Sequence, residues 1–577
     1  MDFQPQTMGQ IAPPQRIFRT LTEALLAAPQ DKAFVTMWND DDDARTLTFG
    51  EFTRWAQAQA VYFNEQGLAK GDRVILIMPQ GLELMAAFAG ALLLGAVPAI
   101  LAYPTFKIEP AKYRFGLSGV SANLKAKLVV IDESFPREFL DYVSLGDQSQ
   151  LVRALSPAPN AATAAAPDVS FAPEDVAFLQ HSAGTTGLQK GVALSHRAVL
   201  RQLAHLGGAL KICPEDRIYS WLPLYHDMGL IACFILPLVY HLHVVMQSPS
   251  DWVMQPGSML HLISKYRCTL AWVPNFTLQF LAQRVKAEER KDFELGSLRA
   301  LINCSEPVRA ASMDMFTSAY SGCGLRSGVL QTSYAMAENV FAVTQSRVDG
   351  KSEPRRIWID SEKYLREHVA VPAAEGSPQT VCFVSSGECL PCNEVKIVSD
   401  EGQELPPGQV GEILIRSDSL LEGYHNRPDL TAQSLRDGWY WSGDLGSYVD
   451  GELYVTGRKR DLIIVGGKNI YPQDVEEIAA SHAKIHDGRA VAFGVFNASE
   501  GTEEIVVVAE VQDVADLADA GEVDRAIRGA IVAELGVAPR GVYLKPPRWI
   551  VKSTAGKPAR SATREKFLAE HPEVKRS

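Results

Sequence analysis

Cysteine is scarce. Eight thiols are scattered over 577 residues, too few for a disulfide framework, so a reducing compartment is expected. The tightest group, Cys382, Cys389 and Cys392, has no second pair at zinc-finger spacing and reads as small, partly buried thiols rather than a metal site. Basic charge is also short: 56 Lys and Arg against 68 Asp and Glu leave a net charge of −12. Such a balance repels phosphate backbones and argues against nucleic acid as the main partner. The opening MDFQPQTMGQIAPPQ lacks a basic stretch followed by an apolar one, so no secretory signal is expected and a cytoplasmic location is. There is no internal repeat, which excludes solenoids and propellers. One charge-free run, Leu84 to Tyr103, is at roughly 20 residues just long enough to cross a bilayer. Gly90, Gly95 and Pro98 interrupt it, and Ala96-Val97-Pro98-Ala99-Ile100-Leu101 reads as a strand. A buried helix, a glycine turn and a strand are predicted, with no membrane span.

What is present is enough for a large core. Hydrophobic residues make up 46% and charged residues 21%, and at about 150 residues per unit the length suggests about four folding units. Strand-length runs (Arg73 to Met78, Lys127 to Ile131) alternate with helix-length patterns such as Phe52 to Gly67, which predicts a layered α/β fold with a largely parallel sheet. Ser156 to Asp168, SPAPNAATAAAPD, reads as a solvated connector. Alternation resumes at Val176 and runs to about Val343, followed by a strand-rich stretch with turn signals to about Thr456. Beyond Lys459 the pattern changes: strand Leu462 to Val465, helix Pro472 to Ala480, strands Ala490 to Val495 and Ile505 to Glu510, helix Val523 to Leu535, and a basic tail. The expected organisation is a large N-terminal domain, 1–459, of layered α/β subdomains plus a β-rich subdomain, and a small mobile α+β C-terminal domain, 460–577.

Residues 178–192, FLQHSAGTTGLQKGV, run from a strand into a loop of small and hydroxyl residues ending in Lys190. Backbone amides in such a loop approach phosphates closely, with hydroxyls from Thr185 and Thr186 and a charge from Lys190. The spacing of Gly184, Gly187 and Lys190-Gly191 is not that of a Walker loop.

With this loop the chain carries Tyr334-Ala335-Met336-Ala337-Glu338, Trp441-Ser442-Gly443-Asp444-Leu445, Gly457-Arg458-Lys459-Arg460-Asp461 leading to Gly466-Gly467-Lys468-Asn469, and Ser553-Thr554-Ala555-Gly556-Lys557. In this order the motifs resemble the adenylate-forming superfamily, whose members join a carboxylate to AMP at the expense of ATP. Three further segments resemble its fatty acyl-AMP ligases, which pass the acyl group to the phosphopantetheine thiol of an acyl carrier protein. These are Ser220-Trp221-Leu222-Pro223-Leu224-Tyr225-His226-Asp227-Met228-Gly229-Leu230, Asn303-Cys304-Ser305-Glu306-Pro307-Val308-Arg309 and Ile470-Tyr471-Pro472-Gln473-Asp474-Val475-Glu476. The 48 residues between Glu338 and Gly387 resemble the insertion that marks these ligases, here about 347–380.

The resemblance implies ATP and Mg2+ and assigns roles residue by residue. Lys557, Lys190, Thr185, Thr186, Arg458 and His226 would be catalytic, with Lys557 bridging the carboxylate and the α-phosphate and His226 at the mouth of the acyl site. Ser182, Gly184, Gly187, Ser305, Glu306, Tyr334, Asp444 and Arg458 would bind the nucleotide, Tyr334 by stacking on adenine and Asp444 by accepting from the ribose hydroxyls. Thr186 and Glu338 would contact magnesium. Arg460 would be the hinge about which the small domain turns between the two half-reactions. The implied partners are a fatty or related apolar acid and an acyl carrier protein, whose acidic surface would meet Lys545, Arg548, Lys552, Arg560, Arg564 and Lys566. Trp358 is expected to anchor the insertion. Ala183, Gln189 and Ala335 depart from the family's common residues without removing a charged group. An acyl-CoA synthetase using free CoA and a non-catalytic nucleotide-binding homologue remain as alternatives.

Overall fold

The structure, a computed structural model, describes residues 18–104, 110–144, 150–154, 169–181, 190–377, 379–466, 468–497, 502–552 and 557–575. The expected connector at 156–168 and most of the phosphate loop, 182–189, lie outside the described residues.

Two sheets form the centre of the large domain. One has nine strands, running from Glu388–Cys389 through Ala342–Gln345, Leu330–Ala335, Ala300–Cys304, Leu270–Val273, Arg217–Ser220 and His243–Met246 to Ala33–Trp38 and Ala44–Thr48. The other has seven, centred on Val97–Ile100, Arg73–Ile77 and Leu128–Ile131, whose parallel pairing matches their nearly unbroken aliphatic sequence. The charge-free run becomes a helix, Leu82–Leu93, with every residue but one buried, then Gly95 at φ 73°, then the strand Val97–Ile100. No helix among the described residues is long and apolar enough to cross a membrane. The amphipathic helix Phe49–Glu65 begins three residues earlier than its apolar pattern suggests. There Thr48 and Glu51 close a capping box that satisfies two amides which would otherwise lack partners.

A five-stranded antiparallel sheet follows, built on Asn393–Val398, Gly411–Ser417, Trp439–Val449 and Glu452–Arg458. The small C-terminal domain has the hairpin Ile463–Val465 and Lys468–Ile470, the helices Pro472–Ala480 and Ala520–Leu535, and a three-stranded sheet of Ile485–Asn497, Thr502–Val511 and Gly541–Lys545.

The insertion forms a strand pair, Arg356–Asp360 with Thr380–Val384, and a short helix, Ser361–Glu367. Its anchor is not the expected one. Trp358 is only half-buried, because it lies on the strand-pair face opposite to that of Ile359, which is 1% exposed. Tyr364 and Leu365 fill the contact instead and join one apolar cluster with Ile463, Ile470, Tyr471 and Val475 of the small domain. The insertion is thereby packed against the small domain as well as against the large one.

The basic C-terminal face is also smaller than its sequence suggests. Arg560 is held by both carboxylate oxygens of Glu476 at 2.9 Å and by Asp461, so its charge is spent within the domain. Lys545 pairs with Glu570 at 2.9 Å, and Lys545 and Lys566 lie 4.6 and 4.3 Å from the centre of the Trp549 ring.

Candidate active site

The polar residues singled out in the sequence gather where the ends of the sheets meet the small domain. Asp444 and Arg458 stand directly opposite each other on adjacent antiparallel strands. Arg458 Nε lies 3.3 Å from Asp444 Oδ1, and this carboxylate raises the arginine pKa further. Tyr334, at the end of the parallel strand Leu330–Ala335, donates its hydroxyl to Asp444 Oδ2 at 2.7 Å. Burial, then the neighbouring carboxylate, pushes the phenol well above its ordinary range, so it stays a hydrogen-bond donor. The turn before Asp444 needs Gly443 at φ 72°, and the Asp444 amide donates to Ser442 Oγ at 3.0 Å. Each Asp444 oxygen keeps a second lone pair for a further donor.

Glu338 sits one turn beyond Tyr334, in the 3-10 segment Ala337–Asn339. Tyr424 donates to its Oε1 at 2.9 Å, and the Tyr440 hydroxyl lies 3.0 Å from that of Tyr424. Lys190 Nζ is 4.5 Å above the Tyr424 ring, a cation over a π face. One tyrosine thus organises both the candidate metal carboxylate and the lysine of the phosphate loop. Neither Tyr424 nor Tyr440 was among the residues the sequence singled out, and only the Gly423-Tyr424 strand pairing onto Val192-Ala193 brings Tyr424 here. Ser182, Gly184, Thr185, Thr186 and Gly187 lie outside the described residues.

A second cluster lies at the 303–309 loop. Ser305 has φ 68°, a left-handed conformation uncommon for a residue with a side chain, and its carbonyl accepts a hydrogen bond from Lys557 Nζ of the small domain. Ser305 Oγ contacts Met228 Sδ at 3.8 Å, and His226 and Asp227 immediately precede Met228 in the chain. His226 Nδ1 is 2.6 Å from Asp227 Oδ1, which also accepts the Met228 amide at 2.7 Å. Asp227 caps a buried π-helix, Met228–Ile235, a rare geometry that often marks functional segments. Burial works to raise the Asp227 pKa, but His226, the Met228 amide and more distantly Lys557 outweigh it and hold it below the usual carboxylate range. Glu306 Oε2 accepts the Phe276 amide at 3.1 Å, at the start of the helix Asn275–Arg284.

Arg309 closes the same loop and ties it to the small domain. It donates to the Gln473 carbonyl at 2.8 Å, lies 3.6 Å from Asp474 and pairs with Glu477. Burial, opposed by Arg309, raises the Asp474 pKa to about 7. Arg460 lies in the 3-10 turn Lys459–Asp461, where the last strand of the five-stranded sheet leads into the small domain. The Cys389 and Cys392 thiols are both pushed up to about 12, mainly by burial. No group of metal-ligating Cys, His, Asp or Glu occurs among the described residues.

Comparisons with known proteins place this geometry. Residues 21–425 match the family described as AMP-binding enzyme. The medium-chain-fatty-acid–[acyl-carrier-protein] ligase JamA of Moorena producens is 30% identical over 93% of this chain and 92% of its own. The long-chain-fatty-acid–AMP ligase FadD32 of Mycolicibacterium smegmatis is 29% identical over 92% of this chain and 90% of its own. A solved structure from a study of fatty acyl-adenylate ligases of E. coli and L. pneumophila superposes with a TM-score of 0.87 at 28% identity, covering 96% of this chain and 98% of that one. With a family match over most of its length and full-length relatives of this kind, the chain belongs to the AMP-binding enzyme family, the adenylate-forming group that its motifs resemble.

Proposed function

We propose that this protein activates a fatty or related apolar carboxylic acid with ATP, releases pyrophosphate, and passes the acyl group from acyl-AMP to the phosphopantetheine thiol of an acyl carrier protein. The observation that carries the reading is the Tyr334–Asp444–Arg458 group on one side and Lys557, reaching from the small domain to Ser305, on the other. Attack of a carboxylate on the α-phosphorus brings two anions together, so the protein's main task is to supply positive charge in fixed positions. Asp444, held by Tyr334, offers acceptors to vicinal ribose hydroxyls; Arg458 and Lys190 offer charge to phosphate; Lys557 neutralises the meeting carboxylate and phosphate.

The oxygen donors of Glu338, oriented by Tyr424, suit a hard cation with room for phosphate oxygens. On this reading Glu338 and Thr186 hold Mg2+, which when bound withdraws charge from the phosphates. The division at 459/460, with Arg460 as the hinge, belongs to the same proposal. In this pose Arg309 and the insertion hold the small domain so that Lys557 faces the large one.

The test is product analysis with ATP, Mg2+, a panel of aliphatic and aromatic acids, and either CoA or a phosphopantetheinylated carrier protein. Pyrophosphate exchange with apolar acids and acyl transfer to the carrier support the proposal. Background exchange with all acids overturns it, and transfer to CoA in preference to the carrier replaces it with the acyl-CoA synthetase reading. A finer expectation concerns the ribose site. Tyr334→Phe removes one hydrogen bond to Asp444, worth about 1 kcal/mol, and should raise the KM for ATP several-fold with kcat little changed, measured by pyrophosphate exchange.

A further inference from the structure

The acceptor's thiol must lose its proton before or as it attacks the acyl group, and the residues singled out for phosphate and ribose include no base for that step. The His226–Asp227 pair is such a base by construction. Asp227 Oδ1 lies 2.6 Å from His226 Nδ1 and is fixed by the Met228 amide at 2.7 Å. Its side chain is only 11% exposed, against 18% for the histidine. A carboxylate so placed favours the imidazole proton on Nδ1, which the Met228 amide also approaches at 3.4 Å, and leaves Nε2 as the proton acceptor.

We propose that His226 is the catalytic base that takes the proton of the acceptor thiol in the second half-reaction, with Asp227 as the residue that positions and charges it. The inference rests on the acyl-transfer reading above. The thiol S–H proton passes to His226 Nε2, the sulfur forms a bond to the acyl carbonyl carbon, and the bond from that carbon to the phosphate oxygen breaks. AMP leaves with the electron pair, and the imidazolium then gives its proton to water.

Lys557 supplies the timing. In the pose seen here its ammonium is among the charges that act on Asp227. When the small domain turns and takes Lys557 away, the carboxylate is left to His226 at the step that needs a base. Other titratable groups at this place leave that exchange between Lys557 and the pair. The Cys304 and Tyr225 groups are each pushed up to about 12 by burial and stay neutral, and Glu306 is engaged with the helix amide of Phe276.

The experiment measures single-turnover transfer from presynthesised dodecanoyl-AMP to a phosphopantetheinylated acyl carrier protein between pH 5 and 9, alongside pyrophosphate exchange. His226→Gln should lower transfer about 100-fold, within the usual range for a general base, remove the rise of rate with pH, and lower exchange far less. Asp227→Asn, without the charge that favours imidazolium, should move the rising limb to lower pH. Imidazole in solution should restore transfer by His226→Ala, which a purely structural histidine would not allow. Should Asp227→Asn fail to fold, His226→Gln and the imidazole rescue decide. Normal transfer by His226→Gln, or equal loss in both half-reactions, overturns the base while leaving the ligase reading intact. A wild-type protein that forms no acyl-AMP, or never passes it to a thiol, overturns both.

Discussion

Lys557→Ala is expected to lower ATP–pyrophosphate exchange by about 100- to 1,000-fold, the usual loss when one preorganised donor to a developing charge is removed. Transfer from presynthesised acyl-AMP should persist. Lys557 is the small domain's contribution to the site: its Nζ donates to the Ser305 carbonyl, and its charge reaches the buried Asp227. It arrives there because Arg309 holds the start of the helix Pro472–Ala480 through Gln473, Asp474 and Glu477. Its work therefore belongs to the pose in which these contacts exist, and acyl transfer, assigned to a different pose, does not use it. Lys557→Arg should recover little, because a planar guanidinium does not replace a compact ammonium between two anions. Single-turnover assays of the two half-reactions check this; equal loss in both would make the lysine a structural tie.

Much of the candidate site was legible because its residues lie in short segments whose order along the chain is itself informative. Asp444, Arg458, Glu338 and Lys557 could be named from motifs, and the alternation of aliphatic runs with helical patterns gave both α/β layers. The partners that hold those residues were not legible, since they come from other segments. Tyr424 reaches Glu338 across 86 residues and Asp444 meets Tyr334 across 110, through strand registers that no local pattern specifies. Arg309 belongs to one of the ligase-like segments, but its three partners, Gln473, Asp474 and Glu477, all come from the small domain. Asp227 adjoins His226 in the sequence, but adjacency alone does not bring two side chains into contact. The π-helix that follows them, Met228–Ile235, has no sequence signature that we can identify. Trp358 is the anchor that the composition of the segment suggests. In a strand pair, however, alternate residues face opposite sides, and the side that meets the small domain is that of Ile359.

That correction sets the largest expected effect of the insertion. Tyr364 is fully buried, its ring stacked on Tyr471 of the small domain at 4.8 Å and 13° and edge-on to Phe383 at 5.2 Å. Around it Ser361 Oγ donates to the Glu534 carbonyl at 3.1 Å, and His368 lies 3.5 Å from Asn469. The helix Ser361–Glu367 thus bridges the insertion and the small domain, and any pose in which that domain turns far from the large one must break these contacts. Truncating a buried aromatic costs about 3–5 kcal/mol where the site cannot collapse. A few kcal/mol of difference between two poses is enough to change which is populated. Tyr364→Ala should therefore lower the unfolding midpoint by several degrees, leave adenylate formation within a few-fold of wild type, and make free CoA a detectable acceptor. Tyr364→Phe keeps the stacking and removes a hydroxyl without a hydrogen-bond partner among the described residues, so it should behave as wild type. Trp358→Ala, half-exposed, should change acceptor choice little. Acyl-CoA formation measured across the three variants decides the matter: a Tyr364→Ala protein that still makes acyl-AMP and still refuses CoA would show that the insertion does not govern the choice of acceptor.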